Sequence, residues 1–201
     1  MITEGRITGI YGVWFDRQRG ELIKGNGKTL TGVYLLHLDM KRGYKCYANI
    51  RTTFTEEMST QEVYDLFTDS QSTNISILLD ELQKDINSLT GYTSTKLIVQ
   101  FANIASAQTR KRNINLYWTT QRAMDIPQRM RVQTDILLQP VRVHSNGERC
   151  TTASCKQKHY IQVWAREPFR AKPIVTLDCQ NVGKLYDTSQ VLTDKMCSNE
   201  D

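Results

Sequence analysis

Gly25-Asn26-Gly27-Lys28-Thr29 has the composition of a loop that cradles phosphate. Glycines let backbone N–H groups approach phosphate oxygens, and a helix beginning at the lysine adds its positive dipole end. The lysine ammonium reaches the β- and γ-phosphates, and the threonine hydroxyl ligates Mg2+. Further along, Ile75-Ser76-Ile77-Leu78-Leu79-Asp80-Glu81 is an apolar run ending in two acids. A buried parallel strand of this form delivers one carboxylate to the Mg2+ shell and a second that polarises an attacking water. A third run, Ile114-Asn115-Leu116-Tyr117-Trp118-Thr119-Thr120-Gln121, ends in an amide suited to orienting that water or sensing the γ-phosphate. The expected ligands are ATP and Mg2+. Gly25, Asn26, Gly27, Lys28, Thr29 and Leu30 are the expected nucleotide contacts, and Thr29 and Asp80 the Mg2+ contacts. Lys28, Glu81 and Gln121 are the expected catalytic residues.

The loop departs from the full pattern G-x-x-x-x-G-K-[ST], which needs a glycine five positions before Gly27, where this chain has Leu22. Residues 21–24 are short for a central strand, follow Gly20 and are charged at both ends. Arg6-Ile7-Thr8-Gly9-Ile10-Tyr11 reads better as the parent strand, with Gly12 as the first loop glycine and residues 13–24 as an inserted flap over the nucleotide. The alternative is a degenerate loop fed by a strand at 21–24.

Elements that position these groups follow from pattern. Apolar residues at 30, 33, 34, 36, 38 and 40 predict a buried helix stopped at Gly43, with His37 packed inside it. Residues 44–50 read as a second strand reached by a right-handed crossover, with Asn49 at its end facing either a turn or the site. Ser59-Thr60-Gln61-Glu62 has capping-box form, and residues 93–112 read as a long helix ending in basic residues. Residues 135–143 and 160–165 predict an antiparallel hairpin, and residues 173–178 a last strand. The expected fold is α/β, with a mostly parallel central sheet, helices on both faces and the hairpin at the C-terminal edge. Residues 1–194 form one domain in this reading and 195–201 a flexible tail.

Between the hairpin strands stand His144, Cys150, Cys155 and His159. Two cysteines and two histidines at a hairpin tip suit a tetrahedral zinc, although the spacing is not that of the common CxxC knuckle. A Cys150–Cys155 disulfide, or free residues in a basic loop carrying Arg149, Lys156 and Lys158, are the other readings. At 201 residues with 39% hydrophobic and 23% charged residues, the composition is that of a globular protein. No apolar run is long enough to span a bilayer, and the start lacks signal-peptide form. The net charge of +5 is compatible with a nucleic-acid partner without demanding one.

The order of GNGKT, ILLDE, a helix ending in Arg110-Lys111-Arg112, a strand ending in Thr119-Thr120-Gln121, then Asp125-Ile126-Pro127-Gln128-Arg129-Met130-Arg131 resembles the FtsK/HerA superfamily of P-loop ATPases. Within it the chain is most similar to small viral genome-packaging ATPases, and also resembles phage assembly ATPases of the zonula-occludens-toxin type. The resemblance covers residues 5–140. It implies a RecA-like fold, a homo-oligomeric ring and nucleotide sites between subunits. It also implies an arginine finger in trans, for which Arg110, Arg112, Arg122, Arg129 and Arg131 are candidates, Arg129 and Arg131 first. The partners implied are double-stranded DNA, bound without regard to sequence, and capsid or portal-vertex proteins, in the host cytoplasm or on the virion. An assembly and export ATPase is the alternative, although that branch carries a membrane segment after its ATPase region. A nucleotide-dependent scaffold is the other alternative, and Glu81 argues against it. Residues 183–188 resemble the tyrosine-acid-threonine ending of several such ATPases, packed near a neighbouring site.

Overall fold

The apolar runs hydrogen-bond into one sheet whose order sets the geometry of everything else. The structure is a computed structural model and describes residues 5–12, 15–16, 21–22, 27–59, 62–63, 65–66, 72–84, 108–150, 155–167 and 169–186. Its strands are β1 (Ile7–Tyr11), β2 (Phe15–Asp16), β3 (Glu21–Leu22), β4 (Lys45–Ala48), β5 (Glu56–Glu57), β6 (Ile75–Leu79), β7 (Ile114–Thr120), β8 (Ile136–His144), β9 (His159–Glu167) and β10 (Val175–Asp178). The main sheet has the order β10-β9-β8-β1-β7-β6-β4-β5. Strands from β8 to β5 in that order are parallel. β9 and β10 add antiparallel beyond β8. The expected α/β sheet with a C-terminal hairpin is present, and β10 rather than the hairpin forms its outer edge.

Two features of this order matter for function. β1, which leads toward the Gly-rich loop, and β6, which leads to Asp80, are not neighbours. β7 lies between them, pairing Tyr11 with Thr120 on one side and Leu79 with Trp118 on the other. Whatever leaves β7 therefore emerges between the loop and the acids. Second, β3 pairs only with β2, Phe15 opposite Leu22, in a ribbon separate from the main sheet. The strand in the sheet centre is β1, and a strand at 21–24 feeding the loop from within the main sheet is not what the fold has. The rest of the expected flap, Gly25 and Asn26, residues 93–107 of the expected helix and the tail at 195–201 lie outside the described residues.

Alternation along the strands splits the core into two layers. Ile75, Ile77 and Leu79 of β6 join Ile114, Leu116 and Trp118 of β7 on one face. Leu78 and Tyr117 join Val33 and Leu36 of helix α1 (Lys28–Lys41) on the other. Among the described residues two further α-helices are bounded at both ends, α2 (Gln128–Val132) and α3 (Cys179–Gly183), and both are short. Gly43, at φ +90°, ends α1 as expected, its N–H closing on the Met40 carbonyl at 3.0 Å. Close contact of α1 with the sheet requires Gly32, where a Cβ would stand 2.6 Å from a Leu78 methyl.

Polar residues at the same alternation make a hub beneath α1. Asp39, fully buried, accepts at one oxygen from Ser76 (2.8 Å), Asn115 (2.8 Å) and Tyr117 (2.7 Å). Its other oxygen accepts from Arg42 at 3.1 Å. Burial, and then the Asp39 charge, push the Tyr117 hydroxyl well above the ordinary tyrosine range, so it stays a donor. The hub ties the far end of α1 to β6 and β7. Ser59 and Glu62 make the expected capping box, Ser59 N–H donating to Glu62 at 2.7 Å and Glu62 N–H to Ser59 Oγ at 3.2 Å.

Candidate nucleotide-binding site

Helix α1 begins without the usual side-chain cap. Gly27 occupies the N-cap at φ +80°, no side-chain cap is made among the described residues, and the first turn holds no acid. The Thr31 hydroxyl instead donates back to the Gly27 carbonyl at 2.7 Å. Uncapped N–H groups and an uncompensated dipole at a helix start favour an anion. Only glycine fits at 27, both for its positive φ and because a Cβ would lie 2.6 Å from the Ile161 side chain.

Parallel neighbours bring the other groups to this same end of the sheet. Thr29 Oγ1 lies 2.9 and 3.0 Å from the two oxygens of Asp80. Lys28 Nζ donates to Gln121 Oε1 at 3.1 Å, and Gln121 Nε2 donates to Glu81 Oε1 at 3.3 Å. The amide leaving β7 thus bridges the loop lysine and the second acid, as the strand order dictates. Glu81 also pairs with Lys84. All the expected catalytic and Mg2+ residues among the described ones converge. Leu30 is different: its side chain is buried in the α1 layer, leaving only its backbone N–H to face a phosphate.

Two positioning groups have no motif to announce them. The Thr119 hydroxyl donates to Asp80 Oδ1 at 2.7 Å while accepting the Glu81 N–H at 2.9 Å. Asn49 brackets the backbone of Asp80, donating to its carbonyl at 3.0 Å and accepting its N–H at 2.6 Å. These hydrogen bonds hold the turn after β6, where Glu81 takes φ +50°, unusual for a residue with a Cβ. A polar residue ending the neighbouring strand was the only available signal for either.

Electrostatically the cluster awaits charged partners. Burial lowers the Lys28 pKa, against the pull of Asp80 and Glu81. Burial raises that of Asp80, opposed by hydrogen bonds from Thr119 and Thr29. A phosphate beside Lys28 and a cation beside Asp80 would each favour the charged form. The donor set, a hydroxyl beside a carboxylate, is the hard-oxygen kind that suits Mg2+ shared with phosphate oxygens. Tyr186, at the end of the described chain, bridges to Thr52, and burial followed by the Asp80 charge pushes its hydroxyl up to about 12. The tyrosine expected near a neighbour's site is thus within electrostatic reach of its own chain's Asp80.

The candidate arginines fall into two groups. Arg112 is buried, its guanidinium donating to the Ser72 (2.7 Å) and Leu66 (3.1 Å) carbonyls. Arg110 pairs with Asp135 at 2.7 Å, and Asp135 in turn accepts from the Ile7 N–H at the opposite end of β1 from the site. Both are occupied within their own chain. Arg131 donates to the Ile126 carbonyl at 3.0 Å, whereas Arg122 and Arg129 are exposed.

Sheet order, uncapped loop helix and converging acids together define a RecA-like P-loop ATPase fold. Solved structures agree. One similar structure is the N-terminal domain of zonular occludens toxin from Neisseria meningitidis, at TM-score 0.55 and 15% identity over 90% of this chain and 99% of that domain. Another is the genome packaging NTPase B204 from Sulfolobus turreted icosahedral virus 2 in complex with ATP-gammaS, at TM-score 0.51 and 11% identity over 85% of this chain and 98% of that one. No protein-family model matches the sequence. No curated protein matches it either.

Proposed function

We propose that this chain is a Mg2+-dependent ATPase that works as a ring-forming motor, moving double-stranded DNA into a viral capsid. The observation that carries the hydrolytic part is the continuous path Lys28–Gln121–Glu81 beside the Thr29–Asp80 pair. Lys28 and the N–H groups of the first α1 turn bind the β- and γ-phosphates. Thr29 and Asp80 would hold Mg2+, which supplies charge neutralisation on the phosphate oxygens. Gln121 orients water toward the γ-phosphorus and Glu81 takes its proton. Lys28 stabilises the charge left on the departing β-phosphate oxygen.

Arg129, exposed on α2, is the preferred finger for a neighbour's site, with Arg122 beside Gln121 next; Arg131 is already engaged. The segment between β1 and α1 acts as the flap, its β2–β3 ribbon lying off the main sheet. DNA is gripped through phosphates, and exposed Arg149 at the hairpin tip is a candidate contact. Similarity to a genome packaging NTPase supports this reading. Similarity to the zonular occludens toxin domain supports a second, virus assembly and export without DNA translocation.

The two separate in one experiment. ATP turnover of the assembled oligomer is measured with and without duplex DNA of unrelated sequences. The motor reading expects stimulation by all of them, weakening as salt rises. Turnover that DNA leaves unchanged overturns it in favour of export, and absence of turnover with intact nucleotide binding overturns the ATPase itself.

A further inference from the structure

We propose that His144, Cys150, Cys155 and His159 form a structural zinc site at the tip of the β8–β9 hairpin. The ligand atoms of these four residues, one from each, all lie within 4.8 Å of one another. The site is built by backbone geometry rather than by proximity in sequence. His144 and His159 face each other directly across the two strands, their rings 5.1 Å apart. After His144 the chain turns tightly at Gly147, φ +84°, whose N–H closes on the His144 carbonyl at 3.0 Å. It then runs back along β8, with Cys150 N–H donating to the Arg142 carbonyl at 2.9 Å. That return places Cys150 Sγ, on a buried residue, 3.2 Å from His159 Nε2. Cys155, four residues before His159, completes the set. The spacing therefore differs from a CxxC knuckle because the first cysteine arrives by doubling back along the strand that carries the first histidine.

Three further observations favour a metal. His144 Nδ1 is buried and has no hydrogen-bond partner among the described residues. Cys150 and Cys155 are not joined by a disulfide. Two thiolates and two neutral imidazoles make a neutral, closed zinc shell with no open position, which is the structural kind. Zn–S of about 2.3 Å and Zn–N of about 2.0–2.1 Å set ligand separations of roughly 3.3–3.8 Å, within reach of small side-chain rotations here. Among the described residues no other group of this kind occurs.

The site has a structural task. Ile161, two residues from His159 on the same strand, is the side chain against which Gly27 packs. Zinc at the tip pins the strand against which Gly27 packs. This holds whether or not the chain hydrolyses ATP.

The test uses the full chain, purified without chelator, with metal measured by elemental analysis. One zinc per chain is expected. Cobalt added after chelation should give tetrahedral d–d absorption together with a thiolate-to-cobalt charge-transfer band, and chelation should lower Tm. Cys155→Ser, at a half-buried position, should lose the metal while Cys179→Ser keeps it. Zinc absent both as purified and after refilling, a cobalt spectrum lacking the thiolate band, or a Cys150–Cys155 disulfide found by mass would each overturn the proposal. The cobalt and mass measurements are made on the unaltered chain, so they decide even if a variant fails to fold.

Discussion

The Thr29 hydroxyl lies within hydrogen-bond distance of both oxygens of Asp80, 2.9 and 3.0 Å away, although 51 positions separate the two in sequence. One stands on the first turn of α1 and the other just past β6, and the parallel sheet carries both to the same edge. Removing the charge while keeping the shape, in Asp80→Asn, should weaken Mg·ATP binding about 10- to 100-fold, the range of a lost charge-assisted interaction. Metal-free ATP should bind nearly as before. Titration with a fluorescent ATP analogue, with and without Mg2+, reads both.

Glu81 is the proposed base, reached by Gln121 at 3.3 Å. Glu81→Gln should cut turnover by roughly 10²–10⁴-fold, the usual worth of a positioned base. Nucleotide affinity should be kept. Equal loss of binding and turnover would point to a folding or binding role for this carboxylate.

Thr119 serves Asp80 and Glu81 with a single hydroxyl. In Thr119→Val the shape remains and both hydrogen bonds go. A lost buried partner is worth about 1–3 kcal/mol. Turnover should fall about 10-fold or more with a small change in KM, because the group positions the acids without touching nucleotide. Steady-state kinetics of Thr119→Val beside Thr119→Ser, which should recover most activity, settle the point.

Asp39 accepts three hydrogen bonds at one oxygen in a site without solvent. Asp39→Ala strands those donors, and breaking such a buried network costs about 3–5 kcal/mol. Asp39→Asn retains an acceptor and should cost less. Urea denaturation of the two variants gives the comparison, and similar losses would mean that the carboxylate charge, rather than a retained acceptor, holds the hub.

Gly27→Ala meets two obstacles, the positive φ and the Ile161 side chain 2.6 Å from the new methyl. Opening space with Ile161→Ala removes only the second. ATP binding lost in Gly27→Ala should therefore stay impaired in the double variant. Full recovery would show that crowding alone excludes a side chain at 27.

Spacing and residue type were enough to single out Lys28, Thr29, Asp80, Glu81 and Gln121, which the fold brings together, because each is announced by an apolar run or glycine turn adjacent to it. β1 could be recognised as the central strand from the same logic, since residues 21–24 lack the length and apolar content to be buried on both faces. Local sequence also marked the stop at Gly43 and the Ser59–Glu62 box, where the hydrogen bonds close within a few residues.

The roles of Thr119 and Asp39 belong to the tertiary structure alone, and for Asn49 it chose between the turn and the site that sequence left open. Each acts on residues of another strand or helix, and pairing register decides which polar side chain meets which. The same holds for the arginines: Arg112 looks like a helix-terminal cation in sequence and turns out to be buried against the Ser72 and Leu66 carbonyls. At the hairpin tip, sequence left zinc, disulfide and free thiols open. What the fold adds is that Cys150 doubles back along β8 to meet His159, a relationship made by backbone pairing that no linear spacing encodes.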